Sequence, residues 1–311
     1  MLIVVGFVLL IEGANVLVDG ASSIAKKFKI PEIVIGLTIV SIGTSLPELM
    51  VSLSSALKGY QDITIGNVIG SNLANLLLIL GLTAFINPIT IKKSTQEFEI
   101  PICLLATLIF AVMCVWQNGI TRWEAFILMT LFVLFIVYTV LITRRLQKKE
   151  ELSHTLKEIP KYGMAKSIFL VLIGIAALKL GGDLTVNHAT NVARLLGLSE
   201  KLISITILAI GTSLPELVTG VVAAIKGNSD IAVGNIIGSN IFNILLIVGI
   251  SAFIKPIIFH STFNWDIIVL LFSTLLLAIF PIIPPKDKVG RREGFLYVCL
   301  YALYIAMSIR V

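Results

Sequence analysis

Two glutamates, Glu48 and Glu216, lie inside long apolar runs. Each ends the same hexapeptide, Gly43-Thr-Ser-Leu-Pro-Glu48 and Gly211-Thr-Ser-Leu-Pro-Glu216. An ionised carboxylate facing lipid costs at least about 2.5 kcal/mol, so each must meet a partner or water. Pro47 and Pro215 have no N–H to give the carbonyls of Gly43 and Gly211, so each helix breaks beside its carboxylate. The hydroxyls of Thr44, Ser45, Thr212 and Ser213 stand next to the breaks. A second motif, Gly66-Asn-Val-Ile-Gly-Ser-Asn72, returns as Gly234-Asn-Ile-Ile-Gly-Ser-Asn240. Asn75 and Asn243 follow, each placing an amide oxygen one helix turn from Ser71 or Ser239.

Every donor in this set is an oxygen, with no His or Cys among them, and hard cations prefer such donors. Calcium takes six to eight oxygens at about 2.3–2.6 Å in flexible geometry, whereas magnesium demands a smaller octahedral cage. Two glutamates suit one divalent ion, and the same oxygens could instead hold several sodium ions. Alone, the glycines and Gly-Ser-Asn would read as helix packing, and the hydroxyls as bonds back to their own helices. The buried acids tip the balance, because mid-span carboxylates are functional by default.

Elements that could position these residues follow from composition. The 311 residues are 57% hydrophobic and only 14% charged, against about 25% charged in a soluble domain. The mean hydropathy is +1.00. Candidate spans fall near 2–25, 32–57, 63–86, 98–116, 122–143, 164–187, 200–225, 231–254, 265–283 and 294–310. The amino-terminal stretch lacks the charged region of a signal peptide and is read as the first span. No room is left for a sizeable soluble catalytic domain, and no Gly-rich nucleotide loop occurs. Cys103, Cys114 and Cys299 lie in apolar runs and read as small core hydrophobes.

The net charge of +6 reflects loop asymmetry rather than a nucleic-acid surface. Of the 24 Lys and Arg residues, 17 fall on one side of the spans, which the positive-inside rule makes cytoplasmic. Both termini are then extracytoplasmic, in a multi-pass protein of the cell membrane. Lys179 and Asp183 read as a neutralising pair, and Asp19 as the mark of a helix end. His154, His188 and His260 have no metal-ligand spacing and read as solvated.

Both motifs recur at an offset of 168 residues. Without gaps, 36–59 matches 204–227 at 13 of 24 positions, and 62–89 matches 230–257 at 18 of 28. Chance does not produce that agreement. Five spans per half make the copies inverted, an architecture of secondary transporters that bind substrate near the midplane. The expected fold is an all-α polytopic membrane protein with ten transmembrane helices. Residues 1–143 form the first five-helix repeat, 144–163 a cytoplasmic linker and 164–311 the second, inverted repeat.

The two motifs in inverted copies resemble the sodium/calcium exchangers of the cation/calcium antiporter superfamily, especially its compact prokaryotic members. The resemblance covers nearly the whole chain. It implies alternate binding of calcium and sodium at Glu48 and Glu216. Thr44, Ser45, Thr212, Ser213, the backbone at Ser41 and Ala209, and Ser71, Asn75, Ser239 and Asn243 would complete the sites. It also implies that the first and sixth helices slide across a rigid core. Asn243 stands where potassium-dependent members carry Asp, which argues against potassium co-transport. Gly70 and Gly238 stand where calcium/proton exchangers typically carry Glu, which favours sodium.

The function expected is antiport of sodium against calcium, with no resident cofactor. The expected partners are the lipid bilayer and the two transported ions, with neither nucleic acid nor an obligatory protein partner. A calcium/proton antiporter, a passive cation channel and an intramembrane enzyme are the alternatives.

Overall fold

The computed structural model describes residues 2–116, 118–152, 160–196, 209–284 and 286–308. It is an all-α polytopic membrane protein. The helices are α1 (Leu2–Phe28), α2 (Glu32–Thr44), α3 (Leu46–Lys58), α4 (Gln61–Ile86), α5 (Thr95–Trp116), α6 (Arg122–Leu152) and α7 (Met164–Leu195). They continue with α8 (Ala209–Thr212), α9 (Leu214–Ile225), α10 (Ser229–Ile254), α11 (Ser261–Ile282) and α12 (Arg291–Ser308). Among the described residues, seven helices are long and apolar enough to span a bilayer, and the bent pair α2–α3 has the length and composition for an eighth if it is one broken span. Helix α12 has 18 residues but opens with Arg291, Arg292 and Glu293. The span expected at 200–225 is described only from Ala209 onward.

Helices overrun their apolar stretches at several ends. Helix α6 runs to Leu152 rather than 143, because the Arg, Leu, Gln, Lys and Glu that follow are good helix formers. Residues 153–159 of the expected linker, with His154, lie outside the described residues.

Helices α4 and α10 are central: 72% and 83% of their most apolar windows are buried, against 22% for α6. Outer helices turn large apolar side chains outward, among them Leu105, Val133, Phe169, Leu172 and Phe295. A bilayer satisfies such a surface, whereas water would not. Cys103 and Cys114 are buried as expected of small hydrophobes, but Cys299 faces outward from α12.

Short strands join the loops. β1 (Ile89–Thr90) pairs antiparallel with β4 (Lys288–Val289), and β2 (Gly119–Ile120) with β3 (Ile257–Ile258). Several structural features recur at the 168-residue offset of the sequence motifs. Six residues of π-helix occupy Ala74–Ile79 and again Phe242–Ile247. Gly59 and Gly227 turn the chain with φ of 82° and 78°, a region that only glycine enters freely. Strand β3 repeats the position of β1.

Helices α1 and α7 lie antiparallel in backbone contact. A Cβ on Gly6 would come within 2.9 Å of the Gly181 carbonyl, and one on Gly13 within 3.1 Å of that of Gly174. A Cβ on Gly20 would come within 2.8 Å of the Ser167 carbonyl. Glycine every seventh residue puts the small positions on one stripe, so the backbones close without side chains between them. Gly36 and Gly234 meet similarly where α2 crosses α10. Gly70 faces nothing within 4 Å among the described residues, so close packing is seen at its repeat partner Gly238 but not there.

Replacing Gly13 by Leu should separate α1 from α7 and destabilise the fold by about 1–3 kcal/mol. Thermal unfolding in detergent would register a lower midpoint, whereas Gly163→Ala, at a position with open space around it, should leave the midpoint unchanged.

Candidate functional site

The helix break falls at Ser45. Its φ of −84° and ψ of 9° leave the helical region, and α2 meets α3 at 49°. Pro47 lies in the first turn of α3, where a missing N–H costs nothing. Ser213, with φ −90° and ψ 7°, makes the same break between α8 and α9, and Pro215 follows it. Glu48 and Glu216 therefore occupy the first turns of α3 and α9. That end of a helix carries the positive pole of its dipole and complements a negative side chain.

Both glutamates are 1% exposed. Each reaches across to the break in the other half. Ser213 Oγ donates to Glu48 Oε1 at 3.2 Å, and Ser45 Oγ donates to Glu216 Oε1 at 2.9 Å. The threonines extend the exchange, Thr212 facing Glu48 and Thr44 facing Glu216. Ser239 Oγ stands 2.9 Å from Ser45 Oγ. The crossed contacts place both carboxylates and four hydroxyls in one cluster at the centre of the bundle.

The second oxygen of each carboxylate has no hydrogen-bond partner. Glu48 Oε2, Glu216 Oε2, Asn75 Oδ1 and Asn243 Oδ1 are all buried and all unpaired among the described residues. Buried polar atoms ordinarily find partners, so four unpaired acceptors in repeat-related positions mark where a cation could supply the missing charge. Asn75 and Asn243 lie in the two π-helical stretches, a distortion that recurs at functional sites. Asn243 Nδ2 donates to Asn72 Oδ1 at 3.1 Å, which leaves its own oxygen free. Among the described residues no three His, Cys, Asp or Glu side chains gather, so the charge of the site comes from two glutamates.

Ser71 is buried. Ser41 is buried as well. Its hydroxyl donates to the Leu37 carbonyl at 2.8 Å, and its own carbonyl accepts from the Ser45 N–H at 3.0 Å. Ala209 begins α8, and its side chain lies outside the described residues.

Motif reading passed over the first asparagine of each Gly-Asn motif. Asn67 Nδ2 donates to the Glu48 carbonyl at 3.1 Å and to Ser52 Oγ at 2.8 Å. Asn235 Nδ2 reaches the Glu216 carbonyl at 3.4 Å while its Oδ1 accepts from Thr44 at 3.0 Å. These amides fix the half-helices that carry the glutamates. The signal was present as a repeated mid-span polar residue, but its target was on another helix.

Outside the site, Lys179 Nζ lies 3.6 Å from Asp183, the neutralising pair expected. Asp19 does not mark a helix end, because α1 continues to Phe28, and it takes ion pairs from Lys161 and Lys226. His260, on an exposed loop, lies 3.6 Å from Asp62 in the first turn of α4, and His188 Nδ1 is 2.8 Å from the Leu184 carbonyl of its own helix.

The family model described as sodium/calcium exchanger protein matches residues 1–141 and 166–310. The chain belongs to the sodium/calcium exchanger family. Inner membrane protein YrbG of Escherichia coli (strain K12) is 36% identical, over 98% of this chain and 95% of its own. Sodium/calcium exchanger MaX1 of Methanosarcina acetivorans is 31% identical, over 99% and 97%. A structure of the sodium-calcium exchanger NCX_Mj, soaked with sodium and calcium, superposes with a TM-score of 0.84 at 33% identity. It covers 97% of this chain and 96% of that one. The exchanger is thus a membrane transporter of the cation/calcium exchange class and not an enzyme.

In this exchanger Asn67→Ala should remove two hydrogen bonds that hold α3 against α4 and lower stability by about 1–3 kcal/mol. Thermal unfolding in detergent without calcium would measure that loss apart from any effect on transport.

Proposed function

We propose that the protein exchanges sodium for calcium across the membrane by alternating access to one central site. The observation that carries this reading is the pair of buried glutamates whose free oxygens, with those of Asn75 and Asn243, have no partner among the described residues. Calcium would take Glu48 and Glu216 with Thr44, Ser45, Thr212 and Ser213 around them. Ser71, Ser239, Asn75 and Asn243 would add neutral oxygens for sodium. Ser41 and Ala209 would contribute through their backbones where the half-helices open. Calcium and sodium are the substrates, and no resident cofactor is required.

The fold suits that task as ten spans in two inverted repeats, 1–143 and 164–311, joined by a cytoplasmic linker at 144–163. Support comes from the crossed contacts. Ser45 to Glu216 and Ser213 to Glu48 are the same contact shifted by 168 residues in each partner, as a two-fold axis in the membrane plane requires. Both termini would be extracytoplasmic, with the Lys-rich loops inside.

Two fixed carboxylates can be neutralised by one calcium or compensated by sodium ions in its place, but not by both at once. Competition for one set of oxygens couples the two fluxes without ATP. If three sodium ions replace one calcium, one net charge crosses per cycle, which feels about 2.3 kcal/mol per 100 mV.

Calcium uptake into sodium-loaded proteoliposomes tests the reading. Uptake should depend on an outward sodium gradient, fail with potassium or proton gradients, and fall at least about 100-fold in Glu48→Gln and Glu216→Gln. A loss of about 2.7 kcal/mol of site stabilisation would account for that drop. Uptake driven by protons alone would make the protein a calcium/proton antiporter, and uptake without any counter-ion would make it a channel.

A further inference from the structure

At one face of the bundle α1 meets the end of α9 through a charge cluster that the central site does not use. Asp19 Oδ1 lies 2.6 Å from Lys226 Nζ, and Asp19 Oδ2 lies 2.7 Å from Lys161 Nζ. Lys226 follows the last residue of α9 and also donates to the Asn15 carbonyl of α1 at 2.8 Å. Lys161 stands just before α7, and its partner Asp19 raises its pKa above the ordinary lysine value. Ser22, one turn further along α1, donates to Glu32 at the start of α2. One carboxylate therefore ties α1 to α9 and to the chain entering α7.

These ties lie beside an apolar contact between the same elements. Leu10, Ala14, Leu17, Val18, Val171 and Leu178 of α1 and α7 share an apolar cluster, separate from the large one, with Ala223 and Ala224 of α9. Leu214, Val218 and Val222 of α9 pack against it, while Leu217 packs against the large cluster, so α9 stands between the two. Glu216 opens α9 and Lys226 closes it. Ten residues at 1.5 Å each put the charge cluster about 15 Å from the carboxylate, toward one face.

We propose that Asp19, with Lys226 and Lys161, is a latch that closes the path from this face to the site and sets the balance between the two access states. The inference rests on the alternating-access reading. Opening the site to this face requires α1 to part from the end of α9, and both Asp19 pairs must then break. Asp19 is a positioning residue that touches no transported ion.

The test compares wild type with Asp19→Asn, measuring calcium KM separately from each face of oriented proteoliposomes. Apparent affinity scales with the fraction of protein open to the face measured. Asp19→Asn should therefore lower KM at the latch face by about threefold or more and raise it at the opposite face. Asp19→Glu, which keeps the charge for both lysines, should behave as wild type in both constants. A purely structural role would lower kcat equally from both faces with KM unmoved. That result, or KM shifting in the same direction at both faces, would overturn the latch.

Amide hydrogen exchange supplies a readout that needs no transport. Asp19→Asn should speed exchange across residues 14–28 and 161–171, and unchanged exchange there would also overturn the proposal. If the wild type moves no calcium, the exchange reading fails while this measurement still decides whether the clamp exists.

Discussion

Placing two carboxylates at the centre of a bilayer protein constrains everything around them. Water would solvate them and lipid would not, so the chain must bring oxygens and dipoles to the place where they sit. It does so by breaking two helices. Each break puts a glutamate in the first turn of a new helix and sets a serine of the opposite half against it. Neither glutamate is satisfied by its own half. The two halves are thus joined through the buried carboxylates themselves, and the candidate site and the fold share one set of contacts.

That arrangement leaves a deliberate deficit. Among the described residues one oxygen of each carboxylate and the side-chain oxygens of Asn75 and Asn243 lack partners, and a protein optimised only for stability would fill or remove them. In the function proposed above, a mobile cation would meet the deficit from outside the chain. Asn67 and Asn235 do the opposite work, spending their donors on the backbone beside each glutamate so that the half-helices keep their place. Rigid support around an incompletely satisfied centre is what selective but reversible ion binding requires.

The packing divides the labour. Helices α4 and α10 are buried deeply and carry the neutral oxygens, while α1 and α7 form a pair joined backbone to backbone by glycines. At the border between the pair and α9, apolar packing around Ala223 and Ala224 is joined by polar contacts. Asp19 makes two of these, to the ammonium groups of Lys161 and Lys226. A motif search overlooks it because Asp19, Lys161 and Lys226 are far apart in the chain.

The sequence by itself determined the solvent, the repeat and the chemical type of the site. Apolar length marked the seven long spanning helices, the 168-residue offset set the pairing of motifs, and proline beside glutamate marked the breaks, because each depends on local properties of the chain. Helix ends were less legible, since α6 continues through polar helix formers after its apolar run stops. Only the tertiary structure decided which oxygens are free. Ser41 Oγ turns back to the Leu37 carbonyl of its own helix, whereas Ser45 Oγ reaches Glu216 of the other half. Asn243 keeps its oxygen only because Asn72, from the other half, accepts its amide protons. Satisfaction of a polar atom is a property of pairs, and pairs 171 residues apart are made by folding, not by the order of residues.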